Sequence, residues 1–159
     1  MMTNRPKMIC FDMDGTIADL YGVDGWLDLI EASDAFPYVV AKPMWDMMRL
    51  AEVLREIQKV GIEIRIITWL SKASTEEFKT TTREAKREWL ANYDFPFDAF
   101  HGVQYGATKA DSVRRFLGET ETAWLIDDNA KVRNGWHLGE AIDPTTCNII
   151  EILSSLLGD

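Results

Sequence analysis

This sequence predicts an α/β domain with a mostly parallel central sheet, and two observations carry that expectation. Short apolar or β-branched runs alternate with longer segments whose apolar residues recur at helical spacing. Three of the apolar runs end in polar residues, at Asp12/Asp14, Thr68 and Asp127/Asp128. In parallel sheets, ligands bind beyond the carboxyl ends of the strands, where connections diverge.

Lys7 to Phe11 is a short apolar run closing on an acidic turn, and it reads as the first strand. From Ile17 to Pro43 the chain mixes Gly22, Gly25 and Pro37 with an apolar patch of Trp26, Leu27, Leu29 and Ile30. That composition predicts one short helix inside a small cap-like insertion at about residues 17–44. Leu50, Val53, Leu54, Ile57 and Val60 then follow a helical period with Gly61 as a C-terminal stop, predicting a helix from about Met44 to Val60. Ile62-Glu63-Ile64-Arg65-Ile66-Ile67 is β-branched and runs into Thr68, a second strand with a hydroxyl at its carboxyl tip.

Ser74 with Glu77 has the spacing of a capping box, and the helix it opens carries Phe78, Ala85, Trp89 and Tyr93 on one face. Phe95 to Phe100 reads as a loop entering a third strand over Ala99 to Val103. Thr108 with Asp111 repeats the capping spacing ahead of a helix bearing Ala110, Val113, Phe116 and Leu117. Ala123-Trp124-Leu125-Ile126 is a fourth strand that terminates in Asp127-Asp128-Asn129. Ile149, Ile152, Leu153 and Leu156 predict a closing helix from Asn148 to Leu157. The alternation gives a three-layer, Rossmann-like domain with a minimal cap insertion.

Residues 1–159 fit a single domain, and 47% hydrophobic with 27% charged residues is ordinary for a globular chain. Neither a long apolar span nor a secretory leader is expected at the N-terminus, and the expected compartment is the cytoplasm. Cys10 and Cys147 stand in apolar surroundings without metal-ligand spacing and read as buried thiols. Trp136-His137 reads as packing. A formal charge of −9 disfavours sequence-independent binding to duplex nucleic acid and to anionic membranes. A small phosphorylated substrate is still compatible with it, because a bound dication dominates its own site.

Asp12 and Asp14 stand two residues apart where the chain turns at Gly15. A carboxylate attacks phosphorus only if a cation offsets the repulsion between anions, and a second acid must protonate the departing oxygen. Asp12 and Asp14 could divide those two jobs. A calcium loop of the EF-hand type also begins with alternating acids, but its register fails here. The sixth position would be Ile17, where that loop needs glycine, and the twelfth would be Val23, where it needs glutamate. Turn-capping aspartates are the plainer alternative.

The chain resembles the haloacid dehalogenase superfamily of phosphohydrolases. Asp12-Met13-Asp14-Gly15-Thr16 is similar to that family's first motif and Thr68 to its second. Lys109 is similar to its third, and Asp127-Asp128 to its fourth. The resemblance implies Asp12 as nucleophile, Asp14 as general acid and then base, Thr68 on the transferring phosphoryl group and Lys109 balancing charge. It also implies a magnesium ion held by Asp12, by Asp14 through its backbone carbonyl, and by Asp127 or Asp128. Lys72 is the alternative lysine. The magnesium-free, haloacid-hydrolysing branch is disfavoured, since clustered carboxylates repel one another without a dication.

The stretch from Ile17 to Met44 is too short for the large cap of many relatives, and the layout resembles the 5′(3′)-deoxyribonucleotidase branch. A small phosphomonoester, most plausibly a (deoxy)nucleotide, is the expected substrate. The short insertion predicts a comparatively open site, which suits either a large phosphorylated substrate or a small one closed over by the insertion or by the partner in a homodimer. Trp69, Trp26, Phe36 and Tyr38 could stack a nucleobase, or could simply pack the insertion onto the domain. Asp19 and Asp24 read as solvated loop acids. The alternatives are a phosphatase for sugar phosphates, nucleic-acid ends or phosphoprotein, and a non-catalytic relative that binds phosphate or metal.

Overall fold

The computed structural model describes residues 5–72 and 74–158. The first four residues, on which the expectation of no leader partly rests, lie outside the described residues. The chain begins with β1 (Met8–Phe11), β2 (Ala18–Asp19), α1 (Trp26–Glu31), α2 (Phe36–Val40), β3 (Lys42–Pro43) and α3 (Met47–Lys59). It continues through β4 (Glu63–Trp69), α4 (Glu76–Asn92), β5 (Ala99–Val103), β6 (Ala123–Ile126), α5 (Ala130–Asn134), β7 (Ala141–Ile142) and α6 (Ile149–Ser155).

β1 is buried throughout, and its side chains alternate between two cores as the strand period requires. Ile9 and Phe11 join Ile64 and Ile66 of β4 in a core with Leu50, Leu54 and Ile57 of α3, Trp89 of α4 and Leu153 of α6. Met8 and Cys10 face the other way, into a core with Ile67, Leu125, Val113 and Trp136. Covered faces on both sides explain why β1 reads as one apolar run rather than as alternating polar and apolar residues.

The sheet runs β5-β4-β1-β6-β7, with every neighbouring pair parallel. The chain leaves β1 toward β4 and β5, then returns to the opposite side through β6 and β7. The strand order therefore reverses between β1 and β6, at the crevice where doubly wound sheets bind ligands. This is a Rossmann-like three-layer fold. Among the described residues, no helix is long and apolar enough to cross a membrane.

All four expected strands form; β7 and α5, between β6 and α6, are not among the expected elements, and other differences lie in the capping and in the connections. The N-cap of α4 is Thr75, whose hydroxyl accepts from the Phe78 amide at 3.1 Å, and not Ser74. The Ser74 hydroxyl is spent on the Ser71 carbonyl at 3.0 Å. The helix expected after Thr108 is replaced by two short 3₁₀ turns, Lys109–Ser112 and Arg114–Phe116. There the Ser112 hydroxyl donates to the Lys109 carbonyl at 2.6 Å, and the Val113 amide bonds to the Ala110 carbonyl at the three-residue spacing of 3₁₀ geometry. Phe116, expected on a buried face, is exposed beneath the Arg65 guanidinium, 4.2 Å from its ring centroid.

The insertion holds two helices rather than one. Pro37 sits in the first turn of α2, where its missing N–H costs nothing. The antiparallel pair of β2 and β3 ties the two ends of the insertion together, with Ala18 opposite Pro43. Cys10 is buried as expected, and burial pushes its thiol up to about 12. Cys147 is only half-buried, its thiol donating to the Asp143 carbonyl. Trp136 is buried, with its indole N–H on the Ala123 carbonyl at 3.0 Å, whereas His137 is exposed.

Candidate functional site

Strand register builds the centre of the site. Phe11 pairs with Ile126, so the next residues, Asp12 and Asp127, emerge side by side, and the Asp12 amide donates to the Ile126 carbonyl at 3.0 Å. The Lys109 ammonium reaches over both, 2.8 Å from Asp12 Oδ1 and 2.8 Å from Asp127 Oδ2. Its burial works against its charge, but the two carboxylates outweigh that and hold its pKa above the ordinary lysine value. Lys72, the alternative lysine, is exposed, 5.9 Å from the Tyr105 ring centroid.

The turn after Asp12 is held by two devices. Gly15 has a φ of +82°, in the left-handed region that favours glycine, and a Cβ there would collide with the Asp128 carboxylate. Thr16, fully buried, has its hydroxyl 3.0 Å from Asp12 Oδ2 and 3.2 Å from Asp128 Oδ1, and accepts from the Asp128 amide at 3.2 Å. Trp45 locks the same turn from the insertion's end by donating to the Thr16 carbonyl at 2.8 Å. The sequence placed Thr16 in the first motif without a role. Its contacts make it the tether between the two acidic segments.

Asp12, Asp127 and Asp128 each offer an oxygen, and these oxygens lie within 4.8 Å of one another. Burial, then the neighbouring Asp12, raises Asp127 to about 6 against the pull of Lys109. Asp128 is raised to about 7 by burial and by its proximity to Asp12 and Asp127. Three crowded carboxylates served by one ammonium form a site short of positive charge. Hard oxygen donors of this kind fit a magnesium-sized cation that keeps some of its waters.

Asp14 stands apart from that group. Its side chain turns to Lys86, whose ammonium lies 2.9 Å from Asp14 Oδ2, 2.7 Å from Thr68 Oγ1 and 2.9 Å from the Trp69 carbonyl. Burial raises the Asp14 pKa, the Lys86 charge opposes the rise, and Asp12 adds to it. Thr68 is fully buried and stands behind the cavity wall, with its hydroxyl engaged by Lys86. Sequence reading missed Lys86. The signal was faint: a lysine one turn from Thr82 and from Leu90, at the margin of the face that carries Phe78, Ala85 and Trp89.

Above these groups opens a cavity of about 720 Å³, lined by Asp12, Asp14, Lys109, Asp127 and Asp128. Tyr21, Trp26 and Tyr38 line it from the insertion, and Trp69 and Tyr105 from the carboxyl ends of β4 and β5. Tyr21 meets Trp26 edge-on at 4.9 Å, and Trp69 lies 5.0 Å from Tyr105. Trp69 is fixed by its indole N–H on the Ala107 carbonyl at 2.9 Å. Phe36, expected with these rings, is exposed and is not part of the lining. Tyr38 joins the insertion to the main domain by a 3.1 Å hydrogen bond with Ser71. Asp19 caps a 3₁₀ turn through the Gly22 amide, and Asp24 is exposed.

Fold and site together define a doubly wound α/β protein with an acidic, lysine-bridged centre at its switch point. No family model and no curated protein matches the chain. A chain from the structure of the Pnkp1/Rnl/Hen1 RNA repair complex superposes with a TM-score of 0.57 at 17% identity. The match covers 87% of this chain and 42% of that one. The present chain thus spans less than half the length of its structural neighbour, and at that identity the likeness is one of fold.

Proposed function

We propose that this chain is a magnesium-dependent phosphomonoester hydrolase of the haloacid dehalogenase type, acting through an aspartyl-phosphate on a small substrate such as a (deoxy)nucleotide. One observation carries the reading. Asp12, Lys109 and the Asp127/Asp128 pair converge on the floor of one cavity, and Asp14 stands at its wall. Magnesium, when held by Asp12, Asp127 and Asp128, would supply the charge that lets one anion approach another.

Asp12 attacks phosphorus as Asp14 gives its proton to the departing ester oxygen, so the phosphorus–oxygen bond to the alcohol breaks as the bond to Asp12 forms. Water then attacks the phosphoaspartate and returns a proton to Asp14, releasing phosphate and free Asp12. Lys109 neutralises charge on Asp12 and on the phosphoryl group. The burial-raised pKa of Asp14 favours the protonated form that the first step needs. A cavity of about 720 Å³ suits a mononucleotide, and its aromatic lining residues suit a base.

A second reading, hydrolysis of a terminal phosphate on a nucleic-acid strand, has its own support. A further cavity of about 460 Å³ adjoins the first across Trp69, Tyr105 and Lys109, giving room for a longer substrate. The structural neighbour comes from an RNA repair complex. The deciding experiment is a magnesium-dependent phosphate-release panel of nucleotides, end-phosphorylated oligonucleotides, sugar phosphates and phosphopeptides. Asp12→Asn should abolish turnover while the far-ultraviolet circular dichroism is unchanged. Undiminished turnover in that variant would exclude the phosphoaspartate route.

A further inference from the structure

Lys86 belongs to α4, outside every segment that carries the acidic cluster, and only 1% of its side chain is exposed. Burying an ammonium is costly unless all of its donors are used. Here all three are: Asp14 Oδ2, Thr68 Oγ1 and the Trp69 carbonyl lie at 2.9, 2.7 and 2.9 Å. Two of those acceptors belong to the end of β4, so the sheet fixes where the ammonium sits. The third is the Asp14 carboxylate at the wall of the cavity. The Tyr38 ring completes the enclosure from the insertion, with its centroid 4.9 Å from the ammonium.

This arrangement has a directional consequence for Asp14. One carboxylate oxygen, Oδ2, is claimed by Lys86, which leaves Oδ1 for chemistry in the cavity. Without that anchor the side chain would be free to rotate, and a proton transfer loses efficiency when its partners drift from hydrogen-bond reach. We infer that Lys86, anchored by Thr68 and the Trp69 carbonyl, is the positioning residue that aims Asp14 at the ester oxygen. The inference rests on the phosphohydrolase reading. It also gives the buried Thr68 hydroxyl a task one layer behind the cavity.

The leaving group supplies the test. An alkyl phosphate needs its departing oxygen protonated, whereas p-nitrophenyl phosphate releases a stable anion and needs little help. Lys86→Met should lower kcat on an alkyl monoester by roughly 100-fold or more, and on p-nitrophenyl phosphate by less than about 10-fold. In an Asp14→Asn background the same substitution should change neither rate further, since the group it positions is gone. Lys86→Arg keeps the charge but displaces the donors, and should show the same ester dependence in milder form. It carries the test if the methionine variant does not fold. Equal losses on both esters, or a loss that persists in full beside Asp14→Asn, would overturn the assignment. Magnesium-dependent turnover by the unaltered chain on either ester supports the underlying reading, and its absence on both overturns reading and assignment together.

Discussion

Asp12 and Asp127 follow directly on paired positions of adjacent parallel strands, and a single ammonium, that of Lys109, bridges them at 2.8 Å on each side. With Asp128 the group holds three carboxylates against one lysine. The imbalance governs how metal-free stability depends on pH. Asp127 and Asp128 are raised to about 6 and about 7, above an unfolded value of about 4, so the folded chain binds their protons more tightly. Their contribution to stability is whole below about pH 4, is lost progressively as the pH rises through about 6 and about 7, and is gone once both ionise in the folded chain. A cation bound only by the folded state offsets that loss. Magnesium should therefore raise the Tm of the chelator-treated protein more at about pH 8 than at about pH 5.5. A larger shift at the acidic pH, read by differential scanning calorimetry, would remove the cluster as the metal site.

Gly15 supports the same cluster through its backbone. Any Cβ at a φ of +82° is strained, and here it would also strike the Asp128 carboxylate. Gly15→Ala should cost about 1–3 kcal/mol, read from urea denaturation, and weaken magnesium binding in an isothermal titration. Gly61 also has a positive φ, +91°, but a Cβ there meets nothing within 4 Å. Gly61→Ala should therefore carry only the backbone part of the cost and leave magnesium affinity unchanged. Equal effects at the two glycines would mean that Asp128 does not sense the turn.

How much could be read in advance differs between the strands and the connections. The strands were legible because both faces of the sheet are covered, so apolar runs such as Met8–Phe11 and Ala123–Ile126 stand out and end where polar residues begin. The acidic pairs were legible because they sit at those ends. Connections were less so. Thr108 with Asp111 has the spacing of a helix start, yet the segment closes as short 3₁₀ turns, with Lys109 at its start drawn between Asp12 and Asp127. Lys86 was hidden for a different reason: a lysine on a helix is ordinarily solvated, and its burial depends on acceptors 72, 18 and 17 residues away in the chain.

The N-cap of α4 is Thr75 and not Ser74, and the two hydroxyls differ in what they hold. Thr75 satisfies the Phe78 amide, whereas the Ser74 hydroxyl serves the loop before the helix. Thr75→Ala should lower stability by about 1 kcal/mol. Ser74→Ala should cost less than that, because its bond lies in a part-exposed loop where water can replace it. Chemical denaturation of the two variants side by side checks the order, and a greater loss at Ser74 would restore the capping box that the spacing suggested.

The two candidate lysines can be told apart by stability as well as by activity. Lys109 is buried against two carboxylates that have no other cation within ion-pair distance among the described residues, so Lys109→Met leaves Asp12 and Asp127 facing each other unneutralised. Breaking a buried pair by removing one partner costs about 3–5 kcal/mol, and the metal-free variant should melt well below the unaltered chain. Magnesium should restore part of that loss, since a dication bound to the same oxygens supplies the missing charge. Lys72 is exposed and forms no ion pair among the described residues, so Lys72→Ala should leave Tm within about 1 °C of the unaltered chain. A Lys109 variant as stable as the Lys72 variant in chelator would show that the carboxylates are already protonated at neutral pH. The electrostatic account of the centre would then have to be built on neutral acids rather than on a charge deficit.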